Sequence, residues 1–268
     1  MPAGTAKDLS SIWCTPAGDV YAIDRDGDAH DLQGHAGRLP WDRGSAIASA
    51  GGRQYQVVAG LLQLSTDGGQ TWQPMPQAKP TDSVPYGRSR LARVVVGGTG
   101  TSVYALGRYV AVSGSLESDF AFLLRSDDNG LSWRAVWSGP DMGPMGGGHR
   151  RGPDVGSALA VLPDATVVLA AEADGSVLIS TDRGQTFTPR RTPATAPIAD
   201  LWVSPAGVLY GVGRHGQVVV SSNGGRTFSA APSGAEADLT AVTGCGTDVW
   251  VVGARGTVLR HQIASPAQ

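Results

Sequence analysis

Residues 65–72 read Ser-Thr-Asp-Gly-Gly-Gln-Thr-Trp, and the same phrase returns three more times along the chain. In every copy a Ser is followed two residues later by Asp or Asn, four residues later by Gly and seven residues later by Trp or Phe. The four sets are Ser65, Asp67, Gly69, Trp72; Ser126, Asp128, Gly130, Trp133; Ser180, Asp182, Gly184, Phe187; and Ser221, Asn223, Gly225, Phe228. A short Asp or Asn side chain can bind nearby backbone N–H groups, and glycine accepts a positive φ. Because an aliphatic run precedes each copy, the phrase predicts a tight turn that joins two buried strands.

A longer repeat surrounds the phrase. Residues 201–220 align with residues 242–259 and with residues 12–28, and six units begin near Leu9, Ser45, Leu91, Ser157, Ile198 and Leu239. Dividing 268 residues by six units gives about 45 residues per unit, the spacing of four-stranded propeller blades. The sequence predicts a single all-β propeller domain over residues 1–268. Six blades are expected, with seven as the alternative, because few residues remain after Gln262 to form a last strand.

The repeated phrase resembles the Asp-box, or BNR, repeat of sialidases, sortilin ectodomains, xyloglucan-degrading glycosidases and the photosystem II assembly-factor family. This resemblance implies that each box sits on the turn between the third and fourth strands of a blade and serves the fold. The repeat style is most similar to the assembly-factor group, which implies a non-catalytic scaffold that binds other proteins or assembles a complex. Two alternatives stay open. One is a sialidase-like glycosidase or carbohydrate-binding propeller, and the other is a structural or accessory component of a phage tail or secretion apparatus.

Residues that would support catalysis are scarce. None of the arginines lies in the Arg-Ile-Pro phrase typical of sialidases, and Glu117, Glu172 and Glu236 are the only glutamates. Glycoside hydrolysis needs two carboxylates that face each other across the sugar, and no such pair is recognisable from spacing. The five histidines are scattered without a zinc-binding partner, and no phosphate-binding loop is present. We therefore expect no catalytic residues and no cofactor.

Asp24, Asp26, Asp28 and Asp31 alternate around Gly27 and form a weak candidate for a calcium loop. The loop is incomplete, because the twelfth position is His35 rather than Glu. The repeat alignment places these residues on a turn between the second and third strands. A solvated turn is therefore the favoured interpretation.

Two segments depart from the repeat, at residues 108–119 and residues 139–153, and both are predicted as irregular insertions. Loops can vary while stacked sheets stay fixed, so such segments are where a propeller builds a surface for a partner. Arginine and methionine suit that use. The predicted partner-binding residues are Arg108, Met142, Met145, His149, Arg150 and Arg151.

Composition limits the remaining classes of partner and location. A net charge of −2 and a pI near 6.2 give no basic footprint for nucleic acid. No apolar run is long enough to span a membrane, so a soluble protein is expected. Met1–Ser10 lacks a secretory signal, which predicts a cytoplasmic location as the chain stands and leaves the location open if an upstream segment is missing or the protein belongs to a virion or secretion apparatus. Cys14 and Cys245 occupy equivalent positions in neighbouring units, which makes a bridge geometrically possible. In the cytoplasm, however, both thiols would normally stay reduced.

Overall fold

The computed structural model describes residues 5–15, 17–34, 47–50, 52–75, 88–97, 102–113, 116–138, 155–171 and 173–262. Their strands form six antiparallel sheets, each built from strands consecutive in the chain. We number these sheets as blades 1 to 6. Blades 1 and 6 have three described strands and blades 2 to 5 have four. The predicted all-β propeller of six blades is confirmed, and the described part contains only one short 3-10 turn, Ala254–Gly256.

The strand bounds follow the repeat units. Blade 1 contains β1 Leu9–Cys14, β2 Val20–Asp24 and β3 Ala29–Asp31; blade 2 contains β4 Ala48–Ala50, β5 Arg53–Val58, β6 Leu61–Ser65 and β7 Gln73–Pro74; blade 3 contains β8 Arg88–Gly97, β9 Ser102–Ser113, β10 Leu116–Ser126 and β11 Arg134–Ser138. Blade 4 contains β12 Val155–Val161, β13 Val167–Ala171, β14 Val177–Ser180 and β15 Thr188–Arg190; blade 5 contains β16 Ile198–Val203, β17 Leu209–Gly213, β18 Val218–Ser221 and β19 Ser229–Ala231; blade 6 contains β20 Leu239–Cys245, β21 Asp248–Gly253 and β22 Val258–Gln262.

The core lies between blades rather than at one centre. Separate apolar clusters join blade 2 to blade 3, blade 3 to blade 4, blade 4 to blade 5, blade 5 to blade 6, and blade 6 to blade 1. Middle strands are apolar on both faces; every residue of β13, Val167–Ala171, is buried. A blade standing alone would expose these faces to water, so stacking in a ring supplies the hydrophobic stabilisation.

Blades 1 and 6 meet at the seam of the ring. The chain just before β1 repeats the contacts that the link between blades 5 and 6 makes. Gly216 N donates to Ala237 O (2.9 Å) and His215 N to the Asp238 carboxylate (3.0 Å) at that link. At the seam Gly256 N donates to Lys7 O (2.8 Å) and Arg255 N to the Asp8 carboxylate (2.9 Å). Residues ahead of Leu9 therefore contact the last blade in the same way as the link between blades 5 and 6 contacts blade 5.

A disulfide crosses the same seam. Cys14, at the end of β1, is bonded to Cys245, at the end of β20, with 5.4 Å between the two Cα atoms. The expectation that both thiols stay free is therefore wrong for this structure. The physical reason is the ring itself, because closure places the ends of two equivalent first strands side by side within bridging distance.

Strand direction divides the molecule into two faces. In each antiparallel blade the turn between the third and fourth strands lies at the same end as the turn between the first and second. We call this end the box face. The turns between second and third strands lie at the opposite end with the links between blades, and we call that end the link face. The first strands line a central channel along the ring axis.

Candidate functional site

The four box turns share one hydrogen-bond pattern. In the first copy the Ser65 hydroxyl donates to Asp67 Oδ1 (2.7 Å) and accepts from Gly69 N (2.8 Å). The Asp67 carboxylate accepts from Thr71 N (2.9 Å) and from the Thr71 hydroxyl (2.5 Å). The bonds from the Thr71 hydroxyl and backbone, with that from Ser65, lower the pKa of Asp67 to about 2. The side chains of each box therefore form hydrogen bonds with the polar groups of their own turn.

The second, third and fourth copies repeat these bonds. Asp128 binds Ser126 and Ser132, and Asp182 binds Ser180 and Thr186. These bonds lower the pKa of each carboxyl group to about 2. In the fourth copy Asn223 accepts from the Ser221 hydroxyl and from Thr227 N, both at 3.0 Å, and donates to the Thr227 hydroxyl (2.7 Å). The neutral amide thus replaces the carboxylate in the same geometry.

The box glycines bring each turn against the preceding blade. A Cβ at Gly130 of blade 3 would meet the Met75 side chain of blade 2 at 2.7 Å, and one at Gly225 of blade 5 would meet Ile179 of blade 4 at 2.7 Å. Tyr55 of blade 2 also donates to Asn129 O (2.9 Å). The box aromatics are half-buried, and three of them pack in the clusters between blades: Trp133, Phe187 and Phe228. Trp72 is likewise half-buried.

The acidic loop of blade 1 surrounds a lysine. Lys7 Nζ lies 3.1 Å from Asp24, 3.0 Å from Asp26 and 2.8 Å from Asp28. Asp24 is buried, but bonds from His30 and from the backbone of residues 26 and 28, with Lys7, hold its pKa well below the usual value. The three carboxylates raise the pKa of Lys7. The ammonium group therefore stands where a cation would bind among these side chains.

Asp31 does not join this group. Its carboxylate accepts from Gln33 N (2.7 Å) and Gly34 N (3.1 Å), as is common for an aspartate in a turn. Of the four residues in the weak calcium candidate, the structure brings together Asp24, Asp26 and Asp28.

Blade 3 carries a longer hairpin than the other blades. Residues 108–113 and 116–119, predicted as irregular, continue the ladder between β9 and β10, with Leu116 paired to Ser113 and Phe122 paired to Gly107. Tyr109, Val110 and Val112 are residue types with high strand propensity, which favours this regular extension. The rings of Tyr109 and Phe120 pack in a tilted arrangement with 5.2 Å between their centroids. β8 runs beside the extension, and Arg90 lies directly opposite Arg108.

The predicted partner-binding residues fall into two groups. Arg108 is half-buried on β9, on the part of the hairpin nearest the link face. Met142, Met145, His149, Arg150 and Arg151, with the second insertion at residues 139–153, lie outside the described residues. The structure therefore places one member of this set and adds Arg90 beside it.

An ion pair between blades 3 and 5 was missed by sequence reasoning. Arg93 Nη2 of blade 3 lies 2.6 Å from Asp200 Oδ1 of blade 5. Asp200 also accepts from Leu201 N (2.9 Å) and from Val242 N of blade 6 (3.0 Å). Burial raises the pKa of Asp200, although Arg93 and the two N–H groups favour its ionised form. The signal available in the sequence was two charged residues at aligned positions of first strands.

Comparison with known proteins supports the architecture. The family model BNR/Asp-box repeat matches residues 63–74. No curated protein sequence matches the chain. YCF48 from Cyanidioschyzon merolae is 14% identical with a TM-score of 0.52, covering 96% of both chains. A luciferin-regenerating enzyme is 10% identical with a TM-score of 0.59, covering 93% of this chain and 85% of that one. An ancestral GH74 enzyme is 15% identical with a TM-score of 0.55, covering 93% of this chain and 35% of that one.

At these identities the similarities concern the fold and leave the activity open. In the described part of the chain, no helix is both long and apolar enough to cross a membrane. Six stacked blades, four matching box turns and the family-model match lead to the same conclusion. The chain is a six-bladed β-propeller built with Asp-box repeats.

Proposed function

We propose that this propeller is a non-catalytic scaffold that binds a protein partner through the extended hairpin of blade 3. The observation that supports this proposal is the length of that hairpin. β9 and β10 span 12 and 11 residues, whereas the equivalent strands of blade 5 span five and four. The extra pairs are not needed to stack the ring, so their persistence as ordered strands favours a separate use.

Charge on the extension indicates the kind of partner. Arg90 and Arg108 occupy directly opposite positions of the β8–β9 ladder, so this part of the hairpin carries two arginines on one face. Arg90 is exposed on β8 and packs near Gly60 of blade 2. An acidic segment of a partner would bind the exposed Arg90, because arginine forms strong bidentate pairs with carboxylates.

The glycosidase alternative receives less support from the channel. Glycoside hydrolysis requires two carboxylates that face each other across the substrate. No Asp or Glu belongs to the described lining of the central channel. Turnover of a fluorogenic sialoside or xyloglucan oligosaccharide by the purified protein would restore that alternative.

Photo-crosslinking tests the proposed surface directly. A photoreactive residue at Arg90 should crosslink the partner in the native host, whereas one at Arg226, exposed in a box turn on the opposite face, should not. The double variant R90E/R108E should lose the crosslinked product and R226E should keep it. A product formed from position 226 alone, or full capture by R90E/R108E, would place the partner elsewhere.

A further inference from the structure

The first strands of all six blades contribute to a cavity of about 350 Å³ on the ring axis. Most of the described residues that line it are apolar, among them Trp13 and Trp202. Ser49, Thr243 and Arg93 add polar groups, and Arg93 is the one charged side chain in this described lining. A cavity that combines apolar residues with a few fixed polar groups is the usual form of a small-molecule site.

A residue outside the cavity lining holds Arg93 in place. Its guanidinium binds Asp200, which is only 3% exposed and does not line the cavity. Asp200 is itself fixed by Leu201 N and by Val242 N of the next blade. Arg93 is 22% exposed, and within the described part of the chain Asp200 is its one ion-pair partner. A guanidinium has five N–H donors in a planar fork, so donors remain that can face the cavity.

The position of this pair departs from the repeat. Five first strands have a register shift against the second strand. The first residue after it is Ser11, Arg93, Asp200 or Ala241 in four of them and Leu159 in β12. Blades 1 and 6 carry the small residues Ser11 and Ala241 at this position, so the fold does not require a charged side chain there. A largely buried ion pair is also a weak source of stability, since desolvation offsets most of its attraction. The fold alone therefore does not account for charges at these two positions.

We propose that the channel binds a small molecule that bears a carboxylate, with Arg93 as the anion-binding residue and Asp200 as the residue that positions it. A carboxylate can accept two parallel hydrogen bonds from a guanidinium, and the pair is strongest where water is excluded. The apolar body of the ligand would lie against the Trp202 side of the cavity. The volume lies at the lower end of the range of about 300–1,000 Å³ for such sites, which fits a ligand of about one ring with its carboxylate.

Benzoate and benzamide separate charge recognition from apolar filling in the wild-type protein. They share a ring and a planar head group, and only benzoate is an anion. Isothermal titration and ligand-observed NMR at millimolar concentrations should detect benzoate binding, with benzamide at least about tenfold weaker, the effect expected for losing a charged hydrogen bond. Equal binding of the two probes, or no binding of either, would overturn the proposal. The Arg93–Asp200 pair would then have only a structural role.

Two arginine variants locate the site. R93Q should lower benzoate affinity about tenfold or more. R260Q is the matched control, because Arg260 pairs with Asp248 at 2.6 Å in blade 6 away from the cavity, and it should bind benzoate as the wild type does. Unchanged benzoate affinity in R93Q would overturn the assignment. If R93Q fails to fold, the wild-type comparison of the two probes still decides the proposal.

Discussion

At the scale of single residues, each box aspartate stabilises its turn through hydrogen bonds to other residues of the same turn. Asp182 accepts from the Ser180 and Thr186 hydroxyls and from the N–H groups of Gln185 and Thr186. Asn223 supports the same turn in the next blade without a charge. Hydrogen-bond geometry, rather than charge, is therefore what the turn requires, and a pair of substitutions can separate the two.

We expect Asp182→Ala to lower the free energy of unfolding by about 1 kcal/mol, because water can reach the released turn groups and limits the cost. Asp182→Asn should retain most of the stability, since Asn223 already occupies the equivalent position. Urea denaturation of the three proteins measures both differences. Equal losses in the two variants would show that the carboxylate charge matters more than its acceptor geometry.

The pH dependence of the boxes follows from the same bonds. The folded pKa of Asp182 is about 2, below its ordinary value of 3.8, so its contribution is present above about pH 4 and is lost as the pH falls towards 2. The stability gap between wild type and D182A should therefore narrow over that interval. Denaturation curves recorded from pH 5 to pH 2 would contradict this if the gap stayed constant or widened.

At the scale of elements, the links between blades depend on glycines that have no room for a side chain. A Cβ on Gly256 would lie 1.9 Å from Thr5 O, and one on Gly216 would lie 1.7 Å from Ala235 O. Both glycines have a φ of +66°. Gly246, on the turn between β20 and β21, also has a positive φ of +60° but faces open space. A substitution at Gly246 therefore tests the cost of a positive φ alone, whereas a substitution at Gly256 or Gly216 adds the cost of a steric clash.

Gly246→Ala should cost about 1–2 kcal/mol, the penalty of a left-handed conformation for a residue with a Cβ. Gly256→Ala should cost distinctly more, because the seam must also open to admit the methyl group. Thermal melts of the two variants provide the comparison. If G256A melts at or above the temperature of G246A, the contact between residues 5–8 and blade 6 does not hold the ring.

The sequence allowed accurate prediction of features that are local. Box turns, blade limits and the strand-joining turns repeat within a few residues, so their pattern is visible along the chain. The Arg93–Asp200 pair joins two residues that are more than 100 positions apart in the chain, so no local spacing indicates it. The blade 3 extension was predicted as irregular because it departs from the length of the repeat, although its strands remain paired.

At the scale of the whole molecule, the ring is closed by packing, by backbone links and by one covalent bond. β1 lies beside β20, and residues 7 and 8 bind the last turn of blade 6. The disulfide joins residues 231 positions apart. Most of the chain therefore lies inside one covalent loop, and a long loop gives a cross-link its greatest effect on the unfolded state.

We expect no free thiol in the native protein and a loss of about 2–4 kcal/mol on reduction, because the bridge limits the freedom of the unfolded chain. Thiol titration and thermal melts with and without a reductant measure these quantities. The double variant C14S/C245S serves as the control, since its melting temperature should not respond to reductant. Two titratable thiols in the native wild type would contradict the bridge.

The disulfide also determines what happens when the backbone is cut. A single proteolytic cleavage anywhere between Cys14 and Cys245 would leave two fragments still tied by the bridge. Such nicked protein should keep its full mass under non-reducing electrophoresis and separate into two bands only after reduction. A ring of this kind can lose the continuity of its chain and still hold its blades together.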